Sequence, residues 1–125
     1  MAPEVMDSDC IGYDNKADIW SFGITAIELA LGKAPLYNYQ PLKVILLTLQ
    51  NPPPKLEDQG CKRFSKELKK MVNSCLQKEP SKRINASVLL KDGFFKKAKG
   101  KECIRMMLQE VQKIEMNAKF ERMKI

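Results

Sequence analysis

The sequence predicts an all-α protein. Three observations carry that reading: apolar residues gather into helix-length runs, proline and glycine stand where helices should open and close, and no stretch sustains the period-two alternation or the tight turn of a hairpin. With 125 residues, 44% of them hydrophobic, the chain has room for one domain, or part of one, with a modest core.

The first long element is Ala17 to Leu31, ADIWSFGITAIELAL, apolar on nearly every side and stopped by Gly32 with Pro35 shortly after. A helix apolar all round is expected to be buried. Asp18, in its first turn, is placed to complement the helix dipole or to accept backbone N–H groups. Pro41 then opens PLKVILLTLQ, a second helix ended by Asn51 and three prolines. Pro52 to Gly60 reads as an exposed loop.

Ser65 is the expected cap of a third helix, in which Leu68, Met71, Val72, Cys75 and Leu76 share one face and Lys69, Lys70, Asn73 and Gln77 the other. Pro80 breaks it, and Asn85 caps a short fourth helix through Val88, Leu89 and Leu90 toward Gly93. The aromatic pair Phe94 and Phe95 follows. Past the lysine-rich link 96–101, Ile104, Met107, Val111, Ile114 and Ala118 keep a seven-residue apolar repeat over about two heptads, fewer than a coiled coil requires. A tail helix packed on its own domain is the expectation.

The composition excludes several classes. There is no histidine, which removes the commonest general base and metal ligand. Cysteines at 10, 61, 75 and 103 form no C-x-x-C pair, so neither a zinc site nor a disulfide framework is expected. The opening carries no signal-peptide pattern, and no run of about 18 apolar residues could span a bilayer. The reading is a cytoplasmic chain with no membrane partner.

Net charge is +7, split as −4 over residues 1–60 and +11 over residues 61–125. A basic half can attract nucleic acid. Here the lysines lie along amphipathic segments without interleaved aromatics, so solvated outer helix faces are the reading, and no nucleic-acid partner is expected.

The most specific signal is an ordered set of motifs. Ala2-Pro3-Glu4 is followed fourteen residues on by Asp18-Ile19-Trp20-Ser21-Phe22-Gly23, and Arg83 follows Pro80 just before a capped helix. In order and spacing these resemble the part of a protein kinase that runs from the A-P-E end of the activation loop to the end of the catalytic domain. The wording of GYDNKADIWSFGITAIELALGKAP, LKVILLTLQNPPP and CLQKEPSKR is similar to the Sterile-20 group, and most similar to its oxidative-stress-responsive and proline-alanine-rich kinases.

The resemblance implies the helical C-terminal lobe of the kinase fold, lacking the β-rich N-lobe and the catalytic loop. Residues 1–100 would be a partial catalytic domain and 101–125 a helical tail with no recognisable family counterpart. It also implies a serine/threonine kinase parent that uses ATP and magnesium, is activated by upstream with-no-lysine kinases and acts on protein substrates such as ion-cotransporter tails.

Residue by residue, Glu4 resembles the glutamate that pairs in the interior with the arginine matching Arg83, clamping the activation segment to the lobe. Asp18 resembles the aspartate that accepts backbone N–H groups of the catalytic loop. Trp20 is expected against Pro3. Thr25 and Leu29 stand where the family supports its column of side chains under the adenine, although core packing explains both equally. Leu42, Val44, Ile45 and Leu49 lie in a segment resembling a substrate or regulator docking helix, with plain burial the equal alternative.

Two features depart from the pattern: Ile84-Asn85 replaces a common Pro-Thr, and the tail from Glu102 is unmatched. Asn85-Ala86-Ser87 also fits the glycosylation triplet, which a cytosolic chain would not have read.

Phosphoryl transfer needs a glycine-rich cover, an H-R-D aspartate and a D-F-G aspartate for magnesium. The six glycines make no G-x-G, the lack of histidine rules out H-R-D, and Ser21 precedes Phe22-Gly23. No catalytic, nucleotide-binding or metal residue is therefore expected in these 125 residues, and the missing N-lobe and catalytic loop become their natural partners. Apolar surface should show where those parts would sit. The competing expectation is a non-catalytic binding module that keeps the docking surfaces and adds the tail as a partner site.

Overall fold

The computed structural model describes residues 1–9, 11–56 and 64–124. Among them the order is α1 (Pro3–Met6), α2 (Lys16–Leu31), α3 (Pro41–Gln50), α4 (Lys66–Cys75), a 3-10 turn (Pro80–Lys82), α5 (Ala86–Leu89), a second 3-10 turn (Phe95–Lys97) and α6 (Lys101–Met123). No strand occurs among the described residues.

The helix ends follow from their residues. Gly32 takes φ 76° and donates its N–H to the Glu28 carbonyl at 2.7 Å, the left-handed stop that a residue without Cβ adopts at little cost. Proline occupies the first position of α1 and of α3, where its missing N–H leaves no orphan. Ser65 accepts from the Leu68 N–H at 3.2 Å and Asn85 from the Val88 N–H at 2.9 Å, so both predicted caps form.

The core lies between α2 and α4. Trp20 and Ile27 of α2 meet Met71, Val72, Cys75 and Leu76, all almost fully buried. The two helices touch closely at Gly23, where a Cβ would stand 2.8 Å from Leu76 Cδ2 and 2.9 Å from Cys75 Cβ. The short α1 packs on α3.

Four expectations need correction. First, α2 starts one residue earlier than read, and it is not covered on every side: Phe22 and Leu29 are exposed, Leu29 by 83%. Its apolar character belongs to a helix with further surface to cover.

Second, the loop after α3 is not exposed throughout, because Leu56 is fully buried in the core; residues 57–60 lie outside the described residues. A single apolar anchor in a polar, proline-rich stretch leaves no periodicity to read. Third, α5 ends at Leu89 instead of running through Leu90 toward Gly93; it buries Leu89, while Val88 and Leu90 face solvent.

Fourth, the tail does not pack on its own domain. The 23 residues of α6 include no buried one, and Ile104, Met107, Val111 and Ile114 are all exposed. The heptad pattern specified an apolar face without specifying what covers it.

Candidate functional site

The site is built around one arginine. Arg83 leaves the 3-10 turn after Pro80, and its side chain is wholly buried. An ionised guanidinium in the interior needs all five of its donors matched. Nε donates to the Gln77 carbonyl at 2.9 Å; Nη1 donates to Glu4 Oε1 at 2.6 Å and to the Lys16 carbonyl at 2.7 Å. Nη2 donates to Glu4 Oε2 at 3.0 Å and to the Lys78 carbonyl at 3.4 Å. The pairing with Glu4 is two-pronged, the geometry that suits a planar fork to a carboxylate.

Glu4 sits in the first turn of α1, held by the Ala2-Pro3 opening, and its side chain is 8% exposed. Burial pushes its carboxyl up, but the Arg83 hydrogen bond, the α1 backbone N–H and the Arg83 charge together outweigh burial and hold it below its ordinary 4.5. The ring of Trp20 lies under the guanidinium carbon at 5.3 Å, adding a cation–π contact from α2.

Lys16 completes the junction. Its backbone carbonyl accepts from Arg83, and its ammonium donates to the Arg83 carbonyl, so the two residues are tied in both directions. Lys78 does a similar service at α3, donating to the carbonyls of Leu49 and Asn51 (the latter at 3.0 Å) and closing the end of that helix. Neither lysine is marked in the sequence, because a long cationic side chain before a helix or in a loop reads as surface.

The other expected residues are placed as follows. Pro3 and Trp20 are buried. Asp18 is exposed in the first turn of α2. Thr25 is exposed and donates to the Ser21 carbonyl at 2.9 Å; with Leu29 it borders an apolar groove closed by Leu68, Met71 and Phe95. Phe95 stacks at an angle on Phe22, ring centroids 6.1 Å apart. Of the possible docking residues, Leu42 is 71% exposed while Val44, Ile45 and Leu49 are half-buried.

A short opening helix, a tryptophan-bearing central helix and a later arginine thus meet at a buried ion pair. The protein kinase domain matches residues 1–95. The chain belongs to that family. Similar proteins include the serine/threonine-protein kinase fray2 of Dictyostelium discoideum, 59% identical over 99 residues covering 79% of this chain and 9% of that protein. Germinal center kinase 3 of Caenorhabditis elegans is 55% identical over 107 residues, 82% of this chain and 18% of its own length. The serine/threonine-protein kinase hippo of Drosophila melanogaster is 44% identical over 110 residues, 88% and 16% respectively.

These relatives are Sterile-20-like serine/threonine kinases, and the chain spans less than a fifth of the length of each. No described helix is long and apolar enough to cross a membrane.

Proposed function

We propose that residues 1–100 are the activation-segment end and helical-lobe part of a Sterile-20-like serine/threonine kinase in the oxidative-stress-responsive branch, and that they scaffold phosphoryl transfer without performing it. The observation that carries this is the buried, two-pronged Glu4–Arg83 pair inside the matched kinase segment. Its work is mechanical: it fixes α1, the last turn of the segment that would present substrate, to the rigid α2–α4 core.

ATP and magnesium belong to residues of the whole kinase, since this sequence holds no glycine-rich cover, H-R-D or D-F-G. Asp18, exposed in the first turn of α2, is available to the backbone of a catalytic loop, and the Phe22–Leu29 groove to the elements around it. By the same family reading, Leu42 and its neighbours on α3 dock protein substrates or an upstream with-no-lysine kinase in the cytoplasm.

Two measurements test this. The purified 125-residue chain, given labelled magnesium-ATP and a generic basic protein, incorporates no phosphate; robust nucleotide-dependent turnover would overturn the assignment. Joined behind the preceding catalytic-domain residues of the Caenorhabditis relative, residues 1–100 support transfer, and Arg83→Met removes it. A chimera that is folded and inert argues against the scaffold role.

A second reading, a non-catalytic binding module, is favoured by the exposed apolar side chains of α6. Its test is a partner that co-purifies with the chain and is lost on deletion of residues 104–118.

A further inference from the structure

Beside the ion pair, where α1, α2 and α3 converge, lies a cavity of about 250 Å³. One wall is Trp20 and Ile24 of α2, and the facing wall is Val44, Leu47 and Thr48 of α3. Met1 and Met6 bracket Glu4 along the third side. No charged side chain is among its lining residues.

Size and chemistry narrow what fits. An apolar cavity of about 150 Å³ stays dry and takes up benzene, so one of this volume has room for two fused rings. Polar side-chain groups among the lining residues are the Thr48 hydroxyl, the Asn51 amide and the Trp20 indole N–H. The Thr48 hydroxyl donates to the Val44 carbonyl at 2.7 Å, which leaves its oxygen to accept from a ligand hydroxyl or N–H. A charged ligand would find no counter-charge among the lining side chains, which favours an uncharged one.

Two of the residues lining the cavity have constrained backbone. Leu36, which lines it, has φ 61°, the only positive φ on a non-glycine among the described residues. That conformation persists only where the surroundings impose it. Lys78 donates to the carbonyl of Asn51, another lining residue, at 3.0 Å.

We propose that this cavity is a binding site for a small uncharged bicyclic aromatic molecule carrying one hydrogen-bond donor, and that its occupancy braces α1 against α2 and α3. The inference goes beyond the kinase reading and does not rest on it. The chain contains a single tryptophan, Trp20, so one indole N–H resonance reports directly from the cavity wall.

The test titrates 2-naphthol into the full 125-residue chain at neutral pH and follows the Trp20 indole and the methyls of Val44, Leu47 and Thr48. Expected are saturable shifts at those positions and ring-to-methyl Overhauser contacts to Leu47 and Thr48. Val44→Phe, which fills the space, weakens binding at least tenfold; Thr48→Val weakens it severalfold; Leu29→Gln, in the separate Phe22–Phe95 groove, leaves it unchanged. Should Val44→Phe fail to fold, the Overhauser contacts in the native chain decide. Contacts to Ala26 or Leu29 alone, loss of binding with Leu29→Gln, or no saturable shift up to the solubility of the probe would each overturn the proposal.

Discussion

At the scale of single residues, Arg83 concentrates the most interaction in the fewest atoms. Truncating it in Arg83→Met leaves Glu4 nearly buried without its partner, and removing one member of such a pair typically destabilises by about 3–5 kcal/mol. Urea unfolding followed by helical circular dichroism should show that loss in the midpoint. Because Glu4 is held below its ordinary 4.5 in the fold, its contribution is fully present above the unfolded value and is lost as pH falls through the folded one. The unfolding midpoint should therefore drop on acidification below about pH 4.5, and Glu4→Gln should flatten that drop.

Thiol chemistry separates two other residues: burial pushes Cys75 up to about 11, whereas Cys103 is half-buried on α6. Mild alkylation at pH 8 read by peptide mass spectrometry should modify Cys103 before Cys75, and Cys75 only on unfolding. The Glu4 and Arg83 partners could be named from motif order, since the spacing of Ala-Pro-Glu, the tryptophan helix and the later arginine is itself specific. The carbonyl anchors of Lys16 and Lys78 could not, because their targets are backbone atoms that no residue code records.

At the scale of elements, legibility tracked how local each determinant is. Ser65, Asn85, Gly32 and Pro41 act within one turn of their own helix, and their helices are found where those residues place them, whereas the four-residue α1 opened by Pro3 is too short to show a period and is not among the predicted elements. Ser65→Ala should lower stability by about 1 kcal/mol, measurable in the same unfolding experiment. Gly23 is different: its role is set by Leu76 and Cys75 across the α2–α4 contact, fifty residues away in sequence. Gly23→Ala should destabilise despite alanine's better helix propensity, because the added methyl meets side-chain carbons closer than 3 Å.

The tail marks the limit of pattern reading, since an apolar face is a property of a segment and its cover a property of something else. Deleting residues 104–124 removes no buried residue, so the unfolding midpoint of the remaining body should stay within experimental error.

At the scale of the whole molecule, burial is incomplete in one consistent direction. Phe22 and Leu29 on α2, Leu42 and Leu46 on α3 and the face of α6 leave large apolar side chains in solvent on several elements. The isolated chain should enhance the fluorescence of an apolar-surface dye in buffer. In the folded chimera with preceding kinase residues that enhancement should fall, most of all at the Phe22–Leu29 groove. The all-α class and the kinase family were legible because helix punctuation and motif spacing are local or ordered; the cavity beside Trp20 was not, because it is a space bounded by four separate stretches of chain.

The ion pair joins residues 79 positions apart, with the acid near the start and the arginine past the midpoint. A ribosome releases the acid before the arginine, so the clamp cannot close until the 79 residues that follow Glu4 have been made, whatever α1 has already met on α3. The order of synthesis thus places closure of the clamp after α2, α3 and α4 have been made. Until then a chaperone or protease would find α1 without its clamp.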